Sequence, residues 1–143
     1  MVELYQDKNV ELEKIIIGSM IIDKNCADVI FANLNETDFY LEDLKLILNS
    51  ALRVHTSAKH IDIVTLKNDM RENNEPNLVN LMIECSNMVG STANIESHIY
   101  FLKNISAKRK ITECGYDIIQ KSHNDSILPI DQICEILTDI TEI

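Results

Sequence analysis

The stretch "ANIESHIYFLKNISAKRKITECGYDIIQKSHND", residues 93–125, runs for about 30 residues with one glycine and no proline. Such a run predicts one long helix, because α-helices average about 11–12 residues and usually end at glycine or proline. Its apolar residues recur at helical spacing and need cover along the whole length. They are Ile95, Ile99, Leu102, Ile105, Tyr116 and Ile119.

A shorter helix is predicted after the turn "SHNDSILP", with Pro129 at its first position, where proline is well tolerated. One face of this helix is apolar. Together the two helices form an antiparallel hairpin over residues 91–143. Because the last helix is about half as long as its partner, it cannot cover that partner alone. The uncovered surface predicts contact with a second copy or another protein, and the last helix contributes Ile133, Ile136, Leu137 and Ile140.

The remaining sequence predicts a compact helical head over residues 9–90, preceded by a flexible extension over residues 1–8. The chain is 45% hydrophobic and has only Gly 3 and Pro 2, with little β-branched alternation, so the fold class is all-α. Asn9 and Asp62 are predicted helix N-caps. Gly18 lies inside the first helix, where Ala would be better by about 1 kcal/mol, which predicts that another helix passes close to it.

The turn before the long helix carries its own signals. Gly90 is predicted to end the preceding helix in a left-handed conformation. Ser91 or Thr92 is predicted to cap the long helix.

The net charge of −10 disfavours direct nucleic-acid binding, because such a surface repels phosphate. The least acidic part is residues 93–123, where "AKRK" (107–110) is the one basic cluster. That cluster is either a solvated stripe or a cationic patch that pairs with acidic residues of a partner. On the second interpretation, Arg109 belongs to the predicted interface.

Neither a membrane nor an oxidising compartment is indicated. The longest apolar run, "IIIGSMII", is too short to span a bilayer, and the acidic start "MVELYQDKNVELEK" is unlike a secretory signal. We therefore expect a soluble, cytoplasmic protein. The four cysteines form no CxxC pair and have no close histidine, so we expect buried, reduced thiols rather than a zinc site.

No catalytic residue, cofactor or metal site is predicted. The sequence contains no GxxxxGK[ST], GxGxxG, GxSxG or HExxH motif. The acid pairs Glu11/Glu13, Glu42/Asp43 and Asp38/Glu42 could in principle serve acid–base chemistry, but they are interpreted as a solvated helix face. The histidines have no nucleophile or acid at a recognisable spacing and are interpreted as surface or capping residues.

Five segments, in order over residues 9–143, match the motifs of one known domain family. They are "NVELEKIIIGSMIID", "TDFYLEDLKLIL", "HIDIVTL", "VGSTANIESHIYFLKNISAKRKI" and "LTDITEI". The first resembles the opening, the second the D-F-Y segment with its following helix, and the third the P-I-D-x-V-T-L of the N-terminal domain of bacterial and phage DnaB-type replicative DNA helicases. The fourth resembles the P-S-x-A-N-I-x-x-Y and long helix of that domain, and the fifth its close.

The resemblance implies a helical head followed by a hairpin that pairs two subunits. Three such pairs would form a collar over the ring of ATPase motors, and the domain would dock the C-terminal domain of primase or a helicase loader. The family's usual Gly-x-Pro before I-D is Ala58, Lys59 and His60 here, and its proline before S-x-A-N is Gly90. These departures lie in turns, so we expect the loops and the partner specificity of this chain to differ from those of a housekeeping helicase of this family.

Three functions remain open at this point. The first is a non-catalytic collar domain of a replicative helicase, serving dimerisation, hexamer assembly and primase or loader docking. The second is a free-standing regulator of the same fold that binds or blocks a helicase ring. A Walker-type loop downstream in the gene would favour the first, and a stop codon the second. The third is a small enzyme, which the missing catalytic motifs disfavour.

Overall fold

The structure is a computed structural model that describes residues 9–71, 76–123 and 129–142. These residues form α-helices and include a short 3-10 helix (Glu36–Asp38), with no strand among them. The predicted all-α class is therefore confirmed. The predicted flexible extension over residues 1–8 lies outside the described residues. The α-helices are α1 (Val10–Ile22), α2 (Lys24–Asn33), α3 (Glu42–Thr56), α4 (Ile63–Asp69), α5 (Pro76–Asn87), α6 (Ile95–Ser122) and α7 (Pro129–Thr141).

The chain divides into two compact units, and their boundary lies inside α6. We call the unit Asn9–Lys103 the head. We call the described residues from Asn104 onward the hairpin; they comprise the rest of α6 and all of α7. The head thus extends beyond residue 90 and includes the first turns of α6, whose apolar residues Ile95, Ile99 and Leu102 are buried.

The core of the head is built around α1, which packs against α2, α3 and α5. Fully burying one large apolar side chain contributes about 1.5–3 kcal/mol to folding. The head buries many of them completely, and this accounts for its compactness. Side chains with almost no exposed surface are Ile16, Ile17, Met20, Ile30, Phe39, Leu44, Ile47, Leu66, Met82 and Leu102.

Both predicted N-caps are present. The Asn9 Oδ1 atom accepts a hydrogen bond from the Leu12 amide at 3.0 Å. The Asp62 Oδ1 atom accepts one from the Thr65 amide at 2.8 Å. Each satisfies an amide of a first helical turn that has no partner within its helix.

The predicted caps of α6 were wrong, because those side chains serve the turn before the helix. The helix begins at Ile95. Ser91 Oγ instead accepts from the Ala93 amide at 3.1 Å. The Thr92 hydroxyl donates to Asp23 Oδ2 at 2.8 Å, and this hydrogen bond is the main cause that lowers the pKa of Asp23.

The predicted left-handed glycine was also wrong. Gly90 does not have a positive φ, whereas Ala58 does, at 57°. Such a conformation costs a residue with a Cβ atom about 1–2 kcal/mol. Ala58 is the position where the resemblance would place a glycine, which would adopt this conformation without that cost.

The interpretation of the acid pairs as a solvated face was wrong for Glu13 and Asp38, which are both buried. Glu13 lies in α1 and binds the segment that leads into α3. Its Oε1 atom accepts hydrogen bonds from the Tyr40 amide at 2.8 Å and the Leu41 amide at 3.3 Å. Leu41 is the N-cap position of α3 and has no side-chain oxygen to offer. A carboxylate at the N-terminal end of a helix also interacts favourably with the helix dipole. Glu13 thus fixes where α3 starts relative to α1.

Gly18 confirms the prediction that a second helix passes close to α1. A Cβ atom added to Gly18 would lie 2.6 Å from the backbone carbon of Cys85 and 2.8 Å from Val89 Cγ2. Its contact with the Cys85 carbonyl oxygen would be closer still. Because Cys85 belongs to α5, the missing side chain at Gly18 is what allows α1 and α5 to approach.

Candidate interaction surface

The two helices of the hairpin contact each other through polar groups. Lys121 Nζ on α6 lies 2.9 Å from Asp139 Oδ2 and 3.5 Å from Glu135 Oε2 on α7. The Gln132 side-chain amide donates to the Lys121 carbonyl oxygen at 2.6 Å. The hydrogen bond to Asp139 raises the pKa of Lys121.

A shallow cleft of about 190 Å³ continues this polar side along the hairpin. It brings Lys110 and Cys114 in the middle of α6 next to Glu142 after the end of α7, whereas the Lys121 carbonyl oxygen near the end of α6 accepts from Gln132 near the start of α7. The helices are therefore antiparallel, as predicted. The cleft is lined by Lys110, Glu113, Cys114, Asp117, Asp139 and Glu142.

Seven large apolar side chains in the described part of the hairpin are exposed. Their exposed fractions range from 37% at Tyr116 to 70% at Ile130. Several exposed large apolar side chains on one small unit are typical of protein–protein contact. We call this set the outer apolar surface; it consists of Ile111, Tyr116 and Ile119 on α6, and Ile130, Ile133, Leu137 and Ile140 on α7.

The predicted interface residues divide into three groups. Tyr116, Ile119, Ile133, Leu137 and Ile140 are exposed on the hairpin. Two others are half-buried in the hairpin, and four are buried. The half-buried residues are Ile105 and Ile136, and the buried ones are Ile95, Ile99, Leu102 and Arg109.

The four buried residues cannot offer an exposed contact surface in this structure. Ile95, Ile99 and Leu102 belong to the head, and at Leu102 no side-chain surface remains exposed. The helical spacing of these residues correctly indicated that they need cover, but the head provides it. Arg109 is only 6% exposed, so it does not add a cation to the outer apolar surface.

Sequence reasoning missed two members of the outer apolar surface. Ile111 follows the basic cluster directly and lies off the stripe that runs through Ile105 and Tyr116. Ile130 follows the proline that starts α7. The signal was present at Ile130, since it lies three residues before Ile133 and seven before Leu137, the spacing of one helix face.

A second cleft, of about 430 Å³, lies in the head and includes two of the histidines. His55 Nε2 lies 2.9 Å from Asp28 Oδ1, and the His55 ring lies 5.2 Å from that of Phe31. These contacts give His55 a structural role in joining α2 to α3. The cleft is lined by Lys24, Asn25, Ala27, Asp28, His55, Ala58, Lys59, His60 and Ile61.

The described part of the chain offers no metal cluster and no membrane span. Residues 9–71, 76–123 and 129–142 contain no group of three metal-ligating side chains and no helix apolar enough to cross a bilayer. The four cysteines are free thiols. Cys26 and Cys85 are buried as predicted, and burial raises the pKa of Cys85 to about 11. Cys114 is half-buried and Cys134 is exposed, so the prediction of buried thiols was wrong for these two.

Sequence comparisons point to replicative helicases. A family model described as the DnaB-like helicase N-terminal domain matches residues 5–104. The replicative DNA helicase DnaB of Buchnera aphidicola subsp. Baizongia pistaciae is 26% identical over 119 residues, which is 81% of this chain and 26% of that protein. A probable replicative DNA helicase of Trieres chinensis is 24% identical over 130 residues, 89% of this chain and 29% of that protein. The chain thus spans about a quarter of the length of these curated relatives.

Solved structures give the same fold. The N-terminal domain of DnaB helicase from Mycobacterium tuberculosis matches with a TM-score of 0.87 at 15% identity, covering 97% of this chain and 100% of that one. The N-terminal domain of DnaB helicase from Helicobacter pylori, described with its interactions with primase, matches with a TM-score of 0.69 at 23% identity, covering 80% and 91%. Because the family model covers residues 5–104 of the 143, the chain belongs to the family of DnaB-like helicase N-terminal domains.

Proposed function

We propose that this chain is the non-catalytic collar domain of a cytoplasmic replicative DNA helicase. Its hairpin pairs two copies, pairs assemble into a ring, and the domain docks primase or a helicase loader. The observation that carries this proposal is the outer apolar surface. Its exposed side chains lie on both helices, and their burial against a partner would remove a large apolar area from water.

The charges of the hairpin support a second copy as the partner. Helix α7 carries Asp131, Glu135 and Asp139 and no basic residue. The α6 part of the hairpin carries the exposed Lys108 and the half-buried Lys110 against the exposed Glu113 and Asp117. One surface that carries both signs of charge beside apolar residues can be complementary to itself, as pairing of identical subunits requires.

Charged substitutions on the hairpin test this pairing. We expect the wild-type chain to sediment as a dimer or larger species at micromolar concentration. Ile119→Asp and Leu137→Asp should each weaken the association by about 100-fold, because each would bury a carboxylate without a partner. Sedimentation velocity over a dilution series gives the masses.

Val64→Asp is the matched control. Val64 is 67% exposed on α4 of the head, so its substitution changes an exposed apolar side chain outside the hairpin. We expect its sedimentation to equal that of the wild type. A wild-type chain that stays monomeric at all concentrations, or a dimer unaffected by either hairpin substitution, would remove the basis of the pairing proposal.

Primase docking rests on the relative from Helicobacter pylori, which is described with its interactions with primase. We expect the C-terminal domain of the primase from the same source as this chain to bind it with a Kd in the micromolar range. Isothermal titration measures this affinity, and the same primase without its C-terminal domain is the control. If both fragments bind equally or neither binds, the docking proposal is wrong.

A further inference from the structure

We call the cleft of about 430 Å³ in the head the head cleft; it collects basic side chains from two distant segments. Lys24 is the first residue of α2, whereas Lys59 and His60 lie between α3 and α4, and all three are exposed. The second segment is the one in which Ala58, Lys59 and His60 replace the Gly-x-Pro of the family pattern. Because the chain has a net charge of −10, a cleft lined by two lysines differs in sign from the molecule as a whole.

Acidic side chains near the head cleft are bound by other groups of this chain. Asp28, which lines the cleft, holds its Oδ1 atom 2.9 Å from His55 Nε2. Asp69, which lies near Lys59, accepts a hydrogen bond from Arg53 Nη2 at 2.7 Å. These carboxylates are therefore engaged with groups other than the two lysines.

Among the described residues, the ammonium groups of the two lysines in the head cleft form neither a salt bridge nor a hydrogen bond. His60 lies near Asp62, but that carboxylate is the N-cap of α4 and accepts from the Thr65 amide at 2.8 Å. The cleft thus presents two cations that a carboxylate from outside can contact by charge-assisted hydrogen bonds.

A neighbouring cleft of about 360 Å³ meets the head cleft at Lys59, which lines both. On α4 this neighbour is lined by Thr65 and Asn68. Two clefts that meet at one lysine offer more room than a single ion needs. An extended polypeptide segment that passes Lys59 would contact both clefts.

We propose that the head cleft and its neighbour bind an extended acidic segment of another protein, with carboxylates of that segment paired to Lys24 and Lys59. In an extended segment alternate side chains point to the same side, so several carboxylates can face the cleft. The proposal goes beyond the proposed function and does not depend on the pairing of hairpins, because all these residues lie in the head.

Two other kinds of ligand fit the head cleft less well. A nucleic acid would extend beyond the cleft onto the surrounding surface of an acidic molecule, which repels phosphate. Pockets for small molecules are lined mainly by apolar and aromatic side chains, whereas most of the residues that line this cleft are polar or charged. A protein segment with carboxylate side chains is complementary to this lining.

The test uses the full chain and a fluorescein-labelled peptide in which aspartate and serine alternate. Fluorescence polarisation at physiological salt measures the Kd, which we expect to be on the order of 100 µM. The same peptide with asparagine in place of aspartate should bind about tenfold more weakly, because it offers no charge to the lysines. Lys24→Glu and Lys59→Glu should each raise the Kd for the aspartate peptide about tenfold, because each places a like charge beside the peptide.

Lys67→Glu is the matched control, because Lys67 is exposed on α4 and lines neither cleft, yet its substitution changes the net charge by the same amount. Its Kd should stay within about twofold of wild type, since salt screens exposed charges that make no direct contact. All three variants should unfold at the wild-type temperature, because each lysine is exposed and glutamate at the start of α2 favours the helix dipole. A change of Kd then reports on the cleft and not on the fold.

Equal binding of the aspartate and asparagine peptides, or no binding by the wild-type chain, would overturn the proposal. A Lys67→Glu variant that loses as much affinity as Lys59→Glu would also overturn it. If a single-stranded thymidine oligonucleotide binds more tightly than the aspartate peptide and with the same dependence on Lys24 and Lys59, the cleft binds phosphate and the assignment to a protein segment is wrong.

Discussion

Gly18→Ala is expected to lower the free energy of unfolding by about 3 kcal/mol, although Ala is the better helix former. The added methyl group would lie 2.6 Å from the Cys85 backbone carbon and closer to its carbonyl oxygen. Neither atom belongs to a flexible side chain, so α1 and α5 must separate. Because Ile16, Ile17 and Met20 on α1 have no exposed surface, that separation disturbs the core of the head.

Denaturant unfolding followed by far-UV circular dichroism measures this loss as a lower midpoint at unchanged slope. Gly90→Ala is the matched control. A Cβ atom at Gly90 has no heavy atom within 4 Å, and Gly90 does not have a positive φ. We expect this control to stay within about 0.5 kcal/mol of wild type. Equal stability of the two variants would contradict the close approach of α5 to Gly18.

Glu13→Ala is expected to destabilise the head by about 3 kcal/mol, because hydrogen bonds to a charged group contribute about 1.5–3 kcal/mol each. The substitution removes the acceptor of the Tyr40 and Leu41 amides, which lie where the chain leads into α3. Those amides would be left without their buried partner, and the start of α3 would lose its connection to α1. Glu13→Gln keeps the size and one carbonyl oxygen, so a smaller loss is expected.

The same unfolding measurement applies, with Glu11→Ala as the control. Glu11 lies in the same first turn of α1 but is exposed. Both substitutions change the interaction with the dipole of α1, so the difference between them isolates the contacts of Glu13. Should Glu13→Ala prove as stable as Glu11→Ala, the hydrogen bonds to the start of α3 would carry no measurable stability.

Much of the fold follows from local signals in the sequence. Asn9 and Asp62 each accept a hydrogen bond from an amide three residues later. Such a pattern can be recognised from neighbouring residues alone. Gly18 could be interpreted because a glycine weakens an amphipathic helix and is usually kept there for close packing against a neighbouring element. Both features needed no knowledge of distant segments.

The features that were missed depend on contacts between distant segments. Glu13 and Tyr40 are 27 residues apart, and nothing near Glu13 in sequence indicates that it is buried. Likewise, the spacing of Ile99 and Leu102 showed that one side of α6 is apolar but not what covers it. The head covers those residues, so only the later turns of α6 remain for the proposed interface.

The polar character of the contacts between α6 and α7 has a thermodynamic consequence. Lys121 and Asp139 form an ion pair between the two helices, and Gln132 donates a hydrogen bond to the Lys121 carbonyl oxygen. Water can form equivalent hydrogen bonds with the same groups, so these contacts add little net free energy to the packing of α6 against α7. If pairing buries the outer apolar surface, most of the free energy that stabilises the hairpin comes from contact with the second copy. That stabilisation increases with protein concentration. The order of this part of the chain would then rise and fall with the number of copies in the cell.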